Sequence, residues 1–150
     1  MDQKPGAGPK LPFGLEKMDS VVITYAVQAG KSGAGREEIT ISGGGEVRLL
    51  QTLRQDAEPT IRTGKVPPET VIRLLELFKS ARFTALDPEQ TGSEPLQGSR
   101  SVTLIAGATQ HTVVMIGGGV FKANEFVGAI KVVAGMALPE ITQGGLLRYM

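Results

Sequence analysis

Gly30, Lys31 and Ser32 form the tripeptide of this chain that most invites a chemical interpretation. A phosphate-binding loop ends in Gly-Lys-Ser and opens a helix, and its spacing requires a glycine five residues before the first of these three. Tyr25 occupies that position, and the alternating residues of Arg36 to Ser42 predict a strand where the motif needs a helix. We therefore expect a glycine-rich turn here and no nucleotide site.

His111 is the only histidine, and the chain has no cysteine. Histidine-based catalysis and metal binding both need further nucleophiles, bases or ligands close to the imidazole. The pattern around His111 predicts a strand that places it on one face with Val113 and Met115. We expect a partly buried or sheet-edge histidine with a structural role, and neither catalytic nor metal-binding residues.

The paired carboxylates offer no better acid–base site. Glu37 and Glu38 are adjacent on a predicted strand and point to opposite faces, while Asp87 and Glu89 fall in a predicted loop. We expect all of them to be solvated charges. Together with the missing cysteines, this pattern predicts a non-catalytic chain that binds no cofactor.

The composition describes one small globular domain. The chain has 150 residues and a formal net charge of +1, with basic and acidic residues spread along it, so no basic stripe indicates a nucleic-acid partner. No apolar run approaches the roughly 20 residues of a membrane-spanning helix. We expect residues 1–19 to be a flexible leader, 20–139 a single soluble domain and 140–150 a C-terminal tail. The polar leader favours export over a cytoplasmic location.

The first half of the domain reads as strands. Runs rich in β-branched or alternating residues predict strands over Ser20–Val27, Arg36–Ser42 and Glu46–Leu53. The segment from Gln55 to Lys65 is polar and predicts a turn. Apolar residues at helical spacing then predict a helix over Pro68–Ala81.

The second half repeats the change from strands to helix. Asp87–Ser99 predicts a polar loop, Arg100–Ala106 and Gln110–Ile116 predict a hairpin, and a helix over Asn124–Ala137 begins with Asn124 as its cap. The order β-β-β-α-β-β-α predicts an α+β fold: an antiparallel sheet of about five strands with both helices packed on one face.

This order of elements resembles a group of small bacterial domains that includes families of unknown function and the emfourin-type inhibitors of thermolysin-like metalloproteases. The resemblance covers residues 20–137 and includes the segment Phe83-Thr84-Ala85-Leu86 after the first helix. Emfourin-like sequences carry an aromatic residue in the glycine-rich loop, and Lys31 to Gly35 lack it. The resemblance implies the fold and, for function, a protein-binding or inhibitor-like role.

We therefore expect a non-catalytic protein-binding or accessory domain, with a protease as one candidate partner. A glycine-rich loop carried on a rigid sheet is a common binding surface. The predicted partner-binding residues are Gln28, Gly30, Lys31, Ser32, Gly33, Gly35 and Arg36. Two alternatives stay open, namely a structural or envelope-associated domain without a dedicated ligand and a small-ligand binder with a pocket between sheet and helices.

Overall fold

The computed structural model of the chain describes residues 11–28, 34–54 and 58–138. These residues form a seven-stranded mixed sheet and two helices, which confirms the predicted α+β class. The strands are β1 (Val22–Gln28), β2 (Ala34–Ser42), β3 (Glu46–Arg54), β4 (Thr60–Lys65), β5 (Glu89–Thr91), β6 (Glu94–Ala106) and β7 (Thr109–Gly118), and the helices are α1 (Pro68–Ser80) and α2 (Asn124–Ala137).

The sheet order is β4-β3-β2-β1-β6-β7-β5. Successive strands from β1 to β4 are antiparallel neighbours, and β6 pairs with β7 in the predicted hairpin. β1 also pairs with β6, so the two halves of the chain meet at the middle of the sheet. β5 adds to the far side of β7 as the only parallel neighbour among the described strands.

Two of these strands, β4 and β5, were missed, so the expectation of about five strands was too low. β4 lies in the segment 55–65, which we expected to be a turn, and β5 lies in the segment 87–99, which we expected to be a loop. Both are edge strands with largely exposed side chains. Backbone pairing to one neighbour creates such strands without an apolar pattern, so side-chain periodicity does not reveal them.

Alternate residues of the long strands point to one face, the inner face, where the core lies. Ile23, Ile39 and Leu104 are fully buried there, as are the α1 residues Leu75 and Phe78 that pack above them. We call the opposite side of the sheet the outer face. Both helices lie on the inner face, as predicted, because a helix has one apolar stripe and a half-covered sheet has one apolar face.

An aromatic cluster joins the helices to the β7 side of the sheet. The Phe78 ring lies 4.8 Å from the rings of both Phe83 and Phe126, and Phe83 meets the His111 ring edge-on at 5.4 Å. His111 Nε2 also lies 2.9 Å from the carbonyl oxygen of Leu86. His111 is thus partly buried and lies on the same face of its strand as Val113 and Met115, as predicted. That face is the inner one.

The first described residues also pack on the core. Phe13 and Leu15 lie against the core cluster, and Pro12 is buried. At the start of α2 the prediction was wrong, because Ala123 occupies the cap position and no side chain caps the helix. Asn124 is instead the first helical residue.

α2 runs across the strands and ends against β4. A Cβ on Gly64 would clash with the backbone oxygen of Ala137, the last residue of α2. Glycine at this position therefore lets the edge strand and the helix end approach each other closely.

We predict that Gly64→Ala lowers the free energy of unfolding by about 1–3 kcal/mol, because backbone atoms of α2 must move to admit the methyl group. Gly44→Ala is the matched control, since nothing lies within 4 Å of a Cβ at Gly44. Urea denaturation of both variants measures the difference. Equal free energies of unfolding for the two variants would contradict the close approach of α2 to β4.

Candidate functional site

The outer face of the sheet is the surface that the two helices leave open. Its residues alternate with the buried ones along each strand, and Ile61 and Ile116 on it have 48% and 38% of their surface exposed. A soluble protein tolerates such a face when it is polar, and large exposed faces of low charge mark interaction sites.

One half of the outer face, formed by β1, β6 and β7, carries no charged side chain among the described residues. We call it the uncharged half. Its outward residues are Val22, Thr24, Ala26 and Gln28 on β1, Ser99, Ser101, Thr103 and Ile105 on β6, and Gln110, Thr112, Val114 and Ile116 on β7. All are small, β-branched or amide residues, so this half is uncharged and carries no aromatic side chain.

Four threonines cross the outer face in register. Thr112 pairs with Thr103, Thr103 with Thr24, and Thr24 with Thr40 on β2. The hydroxyl groups of Thr103 and Thr112 are hydrogen-bonded at 3.0 Å. Because adjacent strands are about 4.8 Å apart, these residues form an even row of hydroxyl and methyl groups.

The described members of the predicted partner-binding set lie at one end of the outer face. This is the end of the sheet where β1 ends and β2 begins, and we call it the β1–β2 end. Gln28 and Arg36 are cross-strand partners there, both exposed, and Gly35 precedes Arg36 in β2. The other predicted members, Gly30, Lys31, Ser32 and Gly33, lie outside the described residues. Gln28, Gly35 and Arg36 thus lie together, at the rim of the outer face.

The backbone at Arg36 is fixed by its neighbour on β3. The Arg36 amide donates to Thr52 Oγ1 at 3.0 Å, and the Thr52 hydroxyl donates to the Arg36 carbonyl at 3.4 Å. The guanidinium, on a side chain that is 50% exposed, forms an ion pair with Glu38 at 3.2 Å. Arg36 therefore presents a positive charge from a rigid position.

The inner face carries a group of polar residues at the same end of the sheet. Glu37 on β2 is paired in register with Gln51 on β3, and its carboxylate accepts from the Gln51 amide at 3.3 Å. Arg100 occupies the same level on β6, across from Val27. Three polar side chains, those of Glu37, Gln51 and Arg100, thus lie together at this end of the inner face.

Lys131 of α2 lies over this polar end. Only 5% of its surface is exposed, and Nζ lies 5.2 Å from the centre of the Tyr25 ring without a hydrogen-bond acceptor among the described residues. The pKa of the Lys131 amine is lowered from 10.5 to about 8, chiefly by burial and also by the Arg100 charge, while the Glu37 charge opposes the shift. An ammonium group held here is costly, since burial removes its water.

Tyr25 and Arg100 complete this buried polar cluster. Burial raises the pKa of the Tyr25 hydroxyl, and the charge and hydrogen bond of Arg100 partly counteract that effect. The Arg100 guanidinium lies 5.4 Å above the ring of Phe121, in the segment before α2. We call Tyr25, Glu37, Arg100 and Lys131 the buried polar cluster.

The prediction that Glu37 is a solvated charge was wrong, because only 9% of its surface is exposed. The strand alternation itself was correct, and it places Glu37 on the same face as the buried Ile39 and Ile41. Lys131 similarly falls in the apolar stripe of α2, one turn after Val127. Charged residues at buried positions of a periodic pattern were the signal that would have revealed the cluster.

A cleft of about 450 Å³ opens at the β5 side of the sheet. Its lining includes Leu86, Glu89, Gln90, Phe121 and Lys122. Large side chains such as Phe78, Phe83 and Phe126 are fully buried between the sheet and the helices. This cleft is a site that the small-ligand alternative can use.

Two further observations concern metal sites and membrane-spanning helices. Within 11–28, 34–54 and 58–138, no three histidine, aspartate or glutamate side chains group as metal ligands. Neither of the two helices described above has the length and apolar character needed to cross a bilayer.

We predict that the stability of the protein rises with pH between about pH 8 and pH 9.5, because the unfolded chain binds more protons at Lys131 than the folded chain does in this range. Lys131→Met removes this rise and is more stable than the wild type at pH 7 by about 1–3 kcal/mol. Above this range the raised pKa of Tyr25 acts in the opposite direction. Urea titrations across the range measure both effects.

Lys122→Met is the matched control, since Lys122 is exposed just before α2. Its pH profile is expected to follow that of the wild type. A wild-type profile that is flat in this range, or a destabilised Lys131→Met at pH 7, would mean that the amine is not desolvated.

No protein-family model matches the chain, and no curated protein sequence matches it either. The emfourin-like resemblance of the element order therefore stays a prediction. The functional evidence comes from the geometry of the described residues.

Proposed function

We propose that this chain is a non-catalytic protein-binding domain whose binding surface is the outer face of its sheet, with Gln28, Gly35 and Arg36 at the rim. The observation that carries the proposal is the uncharged half of that face. A solvated sheet face normally carries charges that oppose association, and β1, β6 and β7 present none among their described outward residues.

The charged half of the outer face supplies specificity. Arg36 and Glu38 on β2 and Glu46 and Arg48 on β3 alternate in sign on the strands beside the uncharged half, and Lys65 on β4 is the cross-strand partner of Glu46. Charges at the rim of an interface select partners and orient them, while the uncharged centre contributes most of the burial. Arg36 is well suited to such contacts because its backbone is fixed by Thr52.

The buried polar cluster supports the same siting. It lies beneath the β1–β2 end, so polar side chains that are unusual in an apolar core are concentrated at this end of the sheet. Such disagreements between local chemistry and fold are expected at functional sites, where stability is exchanged for function.

We predict that Arg36→Ala weakens capture of the partner about 5–30-fold, the effect of losing 1–2 kcal/mol at an interface arginine. The experiment immobilises the full chain, incubates it with extract that also contains a differently tagged copy, and quantifies every retained protein by mass spectrometry. Arg73→Ala on the exposed side of α1 is the matched control.

Partners retained by the wild type and by Arg73→Ala, but lost with Arg36→Ala, support the outer face as the binding surface. Partners retained equally by all three chains would contradict its siting. The retained proteins also show whether protease binding, which the resemblance implies, belongs to this function.

A further inference from the structure

We infer that the partner at the outer face is a second copy of this chain, which packs its own outer face against the first. This inference rests on the proposed function and names the partner of the same surface. The face is self-complementary in shape, because the uncharged half carries side chains small enough for two sheets to approach to about 10 Å. It is also self-complementary in charge.

The charge pattern defines the arrangement of the two copies. The strand registers place the outward residues in levels, with Glu46 level with Ser42, Arg48 with Thr40, Leu50 with Glu38 and Thr52 with Arg36. A two-fold axis that runs across the strands, between the levels of Thr40 and Glu38, places each strand over its counterpart in the opposite direction.

This axis brings opposite charges together. Arg36 of one copy then lies over the level of Ser42 and Glu46 of the other copy, and Glu38 lies over the level of Thr40 and Arg48. Each copy contributes both members, so the two contacts occur twice. The uncharged half lies on itself at the same time, and no like charges on β2 and β3 face each other.

The area is sufficient for a specific dimer. Six strands at about 4.8 Å and seven residues at about 3.3 Å give a face of about 650 Å² per copy. Two copies then bury about 1,300 Å², which lies within the range of stable protein–protein interfaces. The uncharged half alone would bury only about half of this area, so the charged half must take part.

A charge exchange tests the inference. Within one chain Arg36 and Glu46 lie at opposite ends of the sheet, three outward levels or about 20 Å apart, and they do not contact each other. Arg36→Glu and Glu46→Arg are each expected to raise the dimer dissociation constant at least tenfold, because each creates a like-charge pair across the interface. The double variant is expected to restore dimerisation.

Analytical ultracentrifugation of the full chain at roughly 1–100 µM measures these constants. Thr103→Lys, at the centre of the uncharged half, is expected to give a monomer, and Thr84→Lys on the helix side is the matched control. Ser101→Lys replaces Thr103→Lys if circular dichroism shows that the latter is unfolded.

The outcomes separate the inference from the proposed function. A wild-type dimer that is lost in the single charge variants and restored in the double variant supports both. A wild-type monomer at all concentrations overturns the second copy as partner and leaves the outer face to be judged by the capture experiment. A dimer that persists in both Thr103→Lys and Ser101→Lys overturns the outer face as the contact surface.

Discussion

The covering of the sheet on one face only is the constraint on which the rest of this structure depends. Two helices of 13 and 14 residues cover the inner face of seven strands, and the aromatic contacts between Phe78, Phe83 and Phe126 join them there. Because side chains alternate along a strand, the same sequence must build a core on one side and a second surface on the other. That second surface is large and, over the described outward residues of three strands, uncharged.

The core on the inner face includes charged residues at one end. Its aliphatic rows end in Glu37 and Arg100, and Lys131 lies over them with an amine whose pKa is lowered, chiefly by burial, to about 8. A lysine in this position opposes stability at neutral pH. Lys131 lies under the β1–β2 end. The destabilising residue is therefore beneath the rim of the outer face, where Arg36 and Gln28 are cross-strand partners.

Periodicity in the sequence predicted the α+β class, both helices and five of the seven strands, because those elements bury an apolar stripe or an alternate set of residues. It missed β4 and β5, whose pairing depends on backbone hydrogen bonds at the sheet edges. The predicted site residues Gln28 and Arg36 lie at the rim of a surface that the sequence did not reveal, because the register that aligns Thr112, Thr103, Thr24 and Thr40 is a tertiary property. The burial of Glu37 was not predicted, because a charged side chain is usually exposed even when the strand alternation places it on the inner face.

The most direct test of a self-associating outer face is a distance measured between two copies. The chain has no cysteine, so Gln110→Cys at the rim of the outer face accepts a single spin label, and Val132→Cys, 65% exposed on α2, places one on the helix side. For the two-fold arrangement, pulsed dipolar spectroscopy is expected to give about 20–25 Å between the labels at residue 110, and about 40 Å between those at residue 132. A distance of about 20–25 Å between the labels at residue 132, or no dipolar coupling between the labels at residue 110, would contradict packing through the outer face.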